Sequence, residues 1–246
     1  MKKLVAYITS GYPERSFSID LALALASNGV DTLELGIPFS DPVADGPLIE
    51  AANHEALKLG FKFEHLKEIS KAVAPHVDTL WMGYFNSFYQ QDMSKLIPLA
   101  KEMGVNGFII PDLPYEEALA YSELFDTNNM SNISFVAPTD TQERIKEIVK
   151  DSKKFIYMVA YTGITGSGSS EDLQPFLSSI KKYTSTPTYV GFGVNQKTAK
   201  AKAKGADGVI VGSAFVDILL KENLNYSQKI QKCSELAKIL KNEINS

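Results

Sequence analysis

The chain has 246 residues, 44% hydrophobic and 22% charged, which is enough apolar surface for a large core and excludes a disordered chain. A net charge of −4 and a pI near 5.5, with no Lys/Arg block, argue against a nucleic-acid-binding protein. The single cysteine, Cys233, excludes an intrachain disulfide and suits a reducing cytoplasm, and the apolar run after Met1-Lys-Lys is too short for a signal peptide or a membrane span.

β-rich apolar runs alternate with helical patterns along the whole chain. Strands are predicted at residues 4–9, 32–36, 77–84, 107–110, 133–136, 155–160, 188–190 and 208–211. Helices are predicted at 16–27, 48–58, 64–74, 92–103, 114–125, 141–150, 171–183, 196–204, 214–220 and 226–242, several of them stopped by Gly or Pro. Strict alternation implies parallel strands with right-handed crossovers. A weak repeat joins Asn28-Gly-Val-Asp-Thr-Leu-Glu-Leu-Gly36 to Met103-Gly-Val-Asn-Gly-Phe-Ile-Ile-Pro111 and Lys204-Gly-Ala-Asp-Gly-Val-Ile-Val-Gly212. Equivalent βα units and no Gly-x-Gly-x-x-Gly after the first strand favour a closed barrel over a two-halved dinucleotide-binding sheet. The expected fold is therefore one α/β domain over 1–246, a (β/α)8 TIM barrel of eight parallel strands with outer helices.

In such a barrel, chemistry sits at the C-terminal ends of the strands. Glu34 is a carboxylate inside the apolar second strand, and alternation places Leu33 and Leu35 on the opposite face, so Glu34 points into the barrel mouth. It is either an acid–base group or a structural carboxylate held by an internal Arg or Lys. Asp45, in the following loop, is either its partner or a helix cap, because Asp-Gly-Pro also suits a helix start. Asp41 before Pro42 reads as a turn residue. Glycine turns follow the last three strands: Gly163-Ile-Thr-Gly166, Gly191-Phe-Gly193 and Gly212-Ser213. Their backbone N–H groups suit a phosphate, although such glycines also merely permit tight turns. Tyr7, Tyr84, Asn86, Tyr157 and Phe192 lie between the two sites; each aromatic alone reads first as core packing, and together they suit the walls of a slot for a flat apolar ring.

The remaining residue types narrow the chemistry. Lys3, Lys153 and Lys154 stand at strand starts, the wrong end for a Schiff-base lysine. His54, His65 and His76 lack metal-ligand spacing, and Cys233 falls in the terminal helix. Carboxylate acid–base chemistry on a phosphorylated, partly apolar substrate is what remains.

The stretch Leu33-Glu-Leu-Gly-Ile-Pro-Phe-Ser-Asp-Pro-Val-Ala-Asp-Gly-Pro-Leu-Ile49 resembles the signature of the tryptophan synthase alpha chain family. The resemblance continues through Ile110-Pro-Asp-Leu-Pro114, Val136-Ala-Pro-Thr139, Gly163-Ile-Thr-Gly166, Val190-Gly-Phe-Gly193 and Ala206-Asp-Gly-Val-Ile-Val-Gly-Ser-Ala214. It implies a lyase that cleaves indole-3-glycerol phosphate to indole and glyceraldehyde 3-phosphate. Glu34 and Asp45 would be catalytic, Tyr157 would steady Glu34, and Thr165 would hold Asp45. Gly166, Gly193, Gly212 and Ser213 would take the phosphate, with Tyr7, Tyr84 and Phe192 also lining the substrate site. The resemblance further implies no metal and no cofactor on this chain, a PLP-dependent beta chain as partner in an α2β2 complex, and a cytoplasmic location. Two alternatives are a stand-alone lyase and a glycerol-phosphate-binding allosteric partner with negligible turnover. Family members usually carry a helix ahead of the first strand, and here the terminal helix and side chains near Met1 are expected to cover the barrel bottom. The loop Ser167-Gly-Ser-Ser170 stands where relatives usually carry a longer loop with an Arg.

Overall fold

The computed structural model describes residues 1–160 and 173–246. Nine parallel strands form its sheet: β1 (Lys3–Thr9), β2 (Thr32–Gly36), β3 (Asp78–Met82), β4 (Gly107–Ile109), β5 (Ser131–Asn132), β6 (Ser134–Val136), β7 (Ile156–Val159), β8 (Thr188–Gly191) and β9 (Gly208–Val211). Their order is β5-β4-β3-β2-β1-β9-β8-β7-β6. The two edge pieces are separated in the chain only by Ile133, so the sheet returns on itself as an α/β barrel of the TIM type. The count of nine rather than eight arises in the fifth predicted strand. Ser131 and Asn132 pair with β4, and residues 134–136 pair with β7. The strand hands its hydrogen bonding from one neighbour to the other at Ile133, whose N–H still reaches the Phe108 carbonyl at 2.9 Å.

Side-chain alternation divides the apolar residues into two shells. Leu4, Ala6, Ile8, Leu33, Leu35, Trp81 and Phe108 point outward into a core shared with the helices, the largest apolar cluster. Val5, Leu80, Ile109, Ile133, Phe155, Tyr157, Tyr189 and Ile210 point inward and fill the barrel. A second outer cluster covers β6 to β8 with Ile145, Ile148, Leu177 and Ile180.

The bottom of the barrel is closed by side chains. Phe155 and Tyr189 stack with centroids 4.5 Å apart. Beneath them Lys154 pairs with Asp78 at 2.8 Å, and the same carboxylate accepts from Thr32 and Asn106. The helix Tyr226–Glu243 fastens the chain start: Lys241 Nζ donates to the Lys2 carbonyl at 2.9 Å and pairs with Asp31 at 2.5 Å. The lysines at strand starts are thus structural cations. No helix among the described residues is long and apolar enough to cross a membrane.

Three predicted helices differ from expectation. The 114–125 segment breaks into Tyr115–Ala118, a 3-10 turn Leu119–Tyr121 and Ser122–Thr127. The 196–204 segment is helical only over Ala199–Lys202, because the side chains of Asn195 and Thr198 accept from the Lys197 and Asn195 N–H groups and compete with a helix. Within 171–183, the described helix is Gln174–Ile180.

Inside the barrel, tyrosines lie over glycines of the neighbouring strand. A Cβ on Gly36 would come within 2.3 Å of the Tyr7 ring and hydroxyl, and one on Gly191 within 2.2 Å of Tyr157. Both tyrosines are buried, so neither can swing aside cheaply. We predict that Gly36→Ala destabilises the fold by about 1–3 kcal/mol, read as a lower urea midpoint, and that adding Tyr7→Leu recovers part of the loss. An unchanged midpoint for Gly36→Ala would show that this close packing is absent.

Candidate active site

β2 carries Glu34 at its centre, in register with Tyr7 of β1 and Leu80 of β3. Leu33 and Leu35 are wholly buried in the outer core, which leaves Glu34 facing the barrel interior at 2% exposure. Its Oε1 has no hydrogen-bond partner among the described residues. Burial first, and the negative charge of Asp45 second, push its pKa up to about 8. Among the described residues no cation offsets either effect, so the structural-carboxylate alternative finds no Arg or Lys there to hold it.

Asp45 stands in the loop between β2 and the helix Pro47–Lys58. Gly46 is the N-cap of that helix and no side chain caps it, so Asp45 is not spent on capping. Its carboxylate instead accepts from Asn53 Nδ2 at 3.3 Å and from the Tyr84 hydroxyl. Burial raises its pKa, the Tyr84 and Asn53 hydrogen bonds pull it back, and it settles at about 6. Glu34 and Asp45 are thus two carboxylates held in different protonation regimes near neutral pH, an arrangement that can divide acid and base duties.

The loop is fixed from three sides. The Tyr84 hydroxyl accepts from the Ala44 N–H at 2.9 Å, and the Tyr84 ring stacks on Phe39 with centroids 5.2 Å apart. His54 Nε2 lies 3.0 Å from the Ser40 carbonyl oxygen. Asn53, 1% exposed, also accepts from the Tyr7 hydroxyl at 3.5 Å, and that hydroxyl accepts from Thr9 at 3.4 Å. A buried polar chain therefore runs Thr9–Tyr7–Asn53–Asp45. Asn53 and His54 are additions that sequence reading missed. The available signal was a buried Asn between Ala52 and Ala56 on one face of a helix, where apolar residues are expected.

Across the mouth, Tyr157 on β7 stacks on Phe135 at 4.9 Å and meets the edge of Phe192 at 6.1 Å. The charge of Glu34 contributes, after burial, to raising the Tyr157 pKa, so the two face the same space. Phe192 and Gly193 follow β8 with left-handed φ of 69° and 65°. Gly212 and Ser213 follow β9 and open the helix Ser213–Leu219, whose first N–H groups have no intrahelical acceptor. One cleft is lined by Tyr7, Glu34, Asp45, Met82, Tyr157, Phe192, Gly193, Ile210, Gly212 and Ser213. Tyr84 is not on its wall; it works one step back, on the Asp45 loop. Asn86 is exposed on the helix Phe85–Tyr89, also away from the cleft. Gly163, Thr165 and Gly166 lie outside the described residues.

Comparison with known proteins places this arrangement. The family model described as "Tryptophan synthase alpha chain" matches residues 1–245. The chain is 52% identical to the tryptophan synthase alpha chain of Wolinella succinogenes, covering all of this chain and 97% of that one. It is 38% identical to that of Methanosarcina acetivorans, covering 98% of this chain and 88% of that one. Among solved structures, tryptophan synthase subunit alpha from Campylobacter jejuni superposes with a TM-score of 0.87 at 33% identity, covering 96% and 95% of the two chains. Tryptophan synthase from M. tuberculosis in a ligand-free form gives 0.88 at 29% identity, covering 100% and 94%. Matched from end to end in both sequence and fold, the chain belongs to the tryptophan synthase alpha chain family.

Proposed function

We propose that this chain cleaves indole-3-glycerol phosphate to indole and glyceraldehyde 3-phosphate, with Glu34 as acid–base group and Asp45 as its partner. The observation that carries the reading is the buried Glu34 carboxyl, its Oε1 without a partner among the described residues and its pKa pushed up to about 8, at the mouth of the barrel. At neutral pH it enters the reaction protonated. It donates its proton to C3 of the indole, giving an electron-poor indolenine in which the ring nitrogen carries the positive charge. Asp45, ionised above about pH 6, accepts the ring N–H and stabilises that charge. The Glu34 carboxylate then takes the proton of the side-chain hydroxyl beside the scissile bond. The oxygen electron pair forms the aldehyde, and the C–C pair returns to the ring as indole leaves. Glu34 ends protonated, ready for another cycle.

The substrate's two ends fit the two sides of the cleft. Tyr157, Phe192, Met82 and Ile210 give apolar surface beside Glu34, and Tyr7 backs the same wall. Gly193, Gly212 and Ser213 present backbone for the phosphate. The roles of Thr165 and Gly166 remain part of the proposal by family resemblance alone. All of the steps above use groups of this chain, and PLP chemistry belongs to the beta chain with which we propose that it assembles as α2β2 in the cytoplasm. Support for docking at the mouth comes from Val43, 84% exposed in the Asp45 loop, and Tyr89, 61% exposed on the helix that Tyr84 precedes. Both are large exposed side chains, Val43 on the loop that carries Asp45 and Tyr89 on the helix after β3.

Three measurements test the reading. Glu34→Gln is expected to fold, to bind glycerol phosphate as the parent does, and to lose indole formation by at least about a thousandfold; retained turnover would remove Glu34 from the mechanism. The same variant isolates a linkage effect. The parent's raised Glu34 pKa means that the folded state binds more protons than the unfolded one between about pH 4.5 and 8, so stability falls as pH rises across that window. Glu34→Gln is expected to flatten the fall, measured as denaturant midpoints against pH. Finally, kcat/KM should be bell-shaped, falling below about pH 6 as Asp45 protonates and above about pH 8 as Glu34 ionises. Tyr84→Phe removes a hydrogen bond that lowers the Asp45 pKa, so its acid limb should move to higher pH; an unmoved limb would dissociate that limb from Asp45.

A further inference from the structure

The cleft's phosphate side rests on a feature that its lining residues do not explain. Phe192 is a bulky residue in the left-handed region, φ 69°, followed by Gly193 at 65°. Side chains avoid this region, so something must hold the backbone there. Two hydrogen bonds do so. Lys202 Nζ donates to the Phe192 carbonyl at 2.6 Å, and Thr198 Oγ1 donates to the Gly193 carbonyl at 2.8 Å. A trans peptide is planar, with C=O and N–H on opposite sides. Fixing the two carbonyls therefore fixes the Gly193 and Val194 N–H groups in the opposite sense. Neither N–H has an acceptor among the described residues, and both residues line the cleft.

Lys202 is also desolvated. It is half-buried, and burial alone shifts its pKa downward. No carboxylate among the described residues pairs with it, and its partner is a neutral carbonyl. A desolvated ammonium without a counter-charge is costly unless an anion arrives nearby. Lys154 and Lys241, at the barrel bottom, have aspartate partners, whereas Lys229 in the terminal helix is, like Lys202, shifted down by burial with no ion pair among the described residues.

We infer that Lys202 and Thr198 are positioning residues of the phosphate subsite, which tie down the Phe192 and Gly193 carbonyls so that the following N–H groups face an incoming phosphate. This rests on the reading of the cleft given under the proposed function. Lys202 additionally contributes its charge behind the loop, one peptide away from the anion. Neither side chain needs to touch the substrate. Their effect falls on phosphate affinity and not on the C–C cleavage step at Glu34.

Calorimetric titration with glycerol 3-phosphate and, separately, with indole distinguishes the outcomes. Lys202→Met and Thr198→Val are each expected to weaken glycerol 3-phosphate binding about tenfold, to leave indole binding unchanged, and to raise KM with kcat at saturation unaltered. Thr198→Ser keeps the hydroxyl and is expected to restore parent affinity, which a loss of packing alone would not allow. Gly212→Asp serves as the control on the subsite, since it places a carboxylate where the phosphate is proposed to sit. If Gly212→Asp abolishes glycerol 3-phosphate binding while Lys202→Met retains it in full, the role of Lys202 is overturned and the subsite stands. If the parent protein binds no glycerol 3-phosphate, or Gly212→Asp binds it normally, the subsite and this inference fail together. Equal weakening of indole and glycerol 3-phosphate in Lys202→Met would also overturn it, since that marks general damage to the fold.

Discussion

Much of this structure turns on a carboxylic acid kept in an apolar barrel without a counter-charge. A buried ionised carboxylate is strongly disfavoured, so Glu34 answers by staying protonated well above its ordinary range. That choice requires rigid surroundings. Any lysine reaching it would ionise it and remove the proton donor. The lysines of the barrel bottom are held at the other end, where Lys154 is committed to Asp78, and Lys3 and Lys241 to Asp31, while Lys202, behind the turn after β8, is committed to the Phe192 carbonyl. The parallel sheet makes this separation natural, because strand starts and strand ends lie on opposite faces. The lower layer of Phe155 and Tyr189 lies between the two electrostatic regions.

Asp45 completes the arrangement from a loop, and a loop residue lacks the positional certainty of a strand. The molecule compensates with side chains that are themselves well fixed. Tyr84 grips both the Ala44 N–H and the Asp45 carboxylate, while Asn53 links that carboxylate to Tyr7 and Thr9. The carboxylate is therefore oriented from β3's end and from β1 at once. Hydrogen bonding also keeps its pKa from rising as far as burial alone would drive it. The difference between the two acids thus follows from donors: among the described residues Asp45 has two, and Oε1 of Glu34 has none.

The barrel and the inward side of Glu34 were legible because both depend on short-range patterns. Periodic apolar runs and glycine stops mark the βα units, and the alternation Leu33-Glu34-Leu35 decides a direction with period two. Asp45 was ambiguous because Asp-Gly-Pro serves both a cap and a loop acid, and only the tertiary partners Tyr84 and Asn53 separate them. The position of Tyr84 after a strand points to the cleft; its hydroxyl instead serves the loop, a choice made by long-range packing that no local pattern records. The split of the fifth strand was hidden for the same reason. Which neighbour a strand residue bonds is settled by barrel curvature, not by its own side chain. The shortened 196–204 helix was nearer to legible, since Asn195 and Thr198 are residues known to compete with helix backbone.

The handover at Ile133 has a consequence for how the native state opens. The outer core is not continuous around the barrel: one extensive cluster covers β1 to β4 and much of β9, and a smaller one covers β6 to β8. They meet at two seams, one where the fifth strand changes partner and one between β8 and β9. Apolar burial sets the free energy of sub-global opening. Among the described residues the arc from β6 to β8 has less of it and is expected to detach first, while Glu34 and Asp45 stay seated in the other arc. The acid pair and the Phe192–Gly193 turn after β8 thus sit on units of unequal local stability. Amide exchange across this protein should run in two tiers, with one of the two boundaries at a single isoleucine.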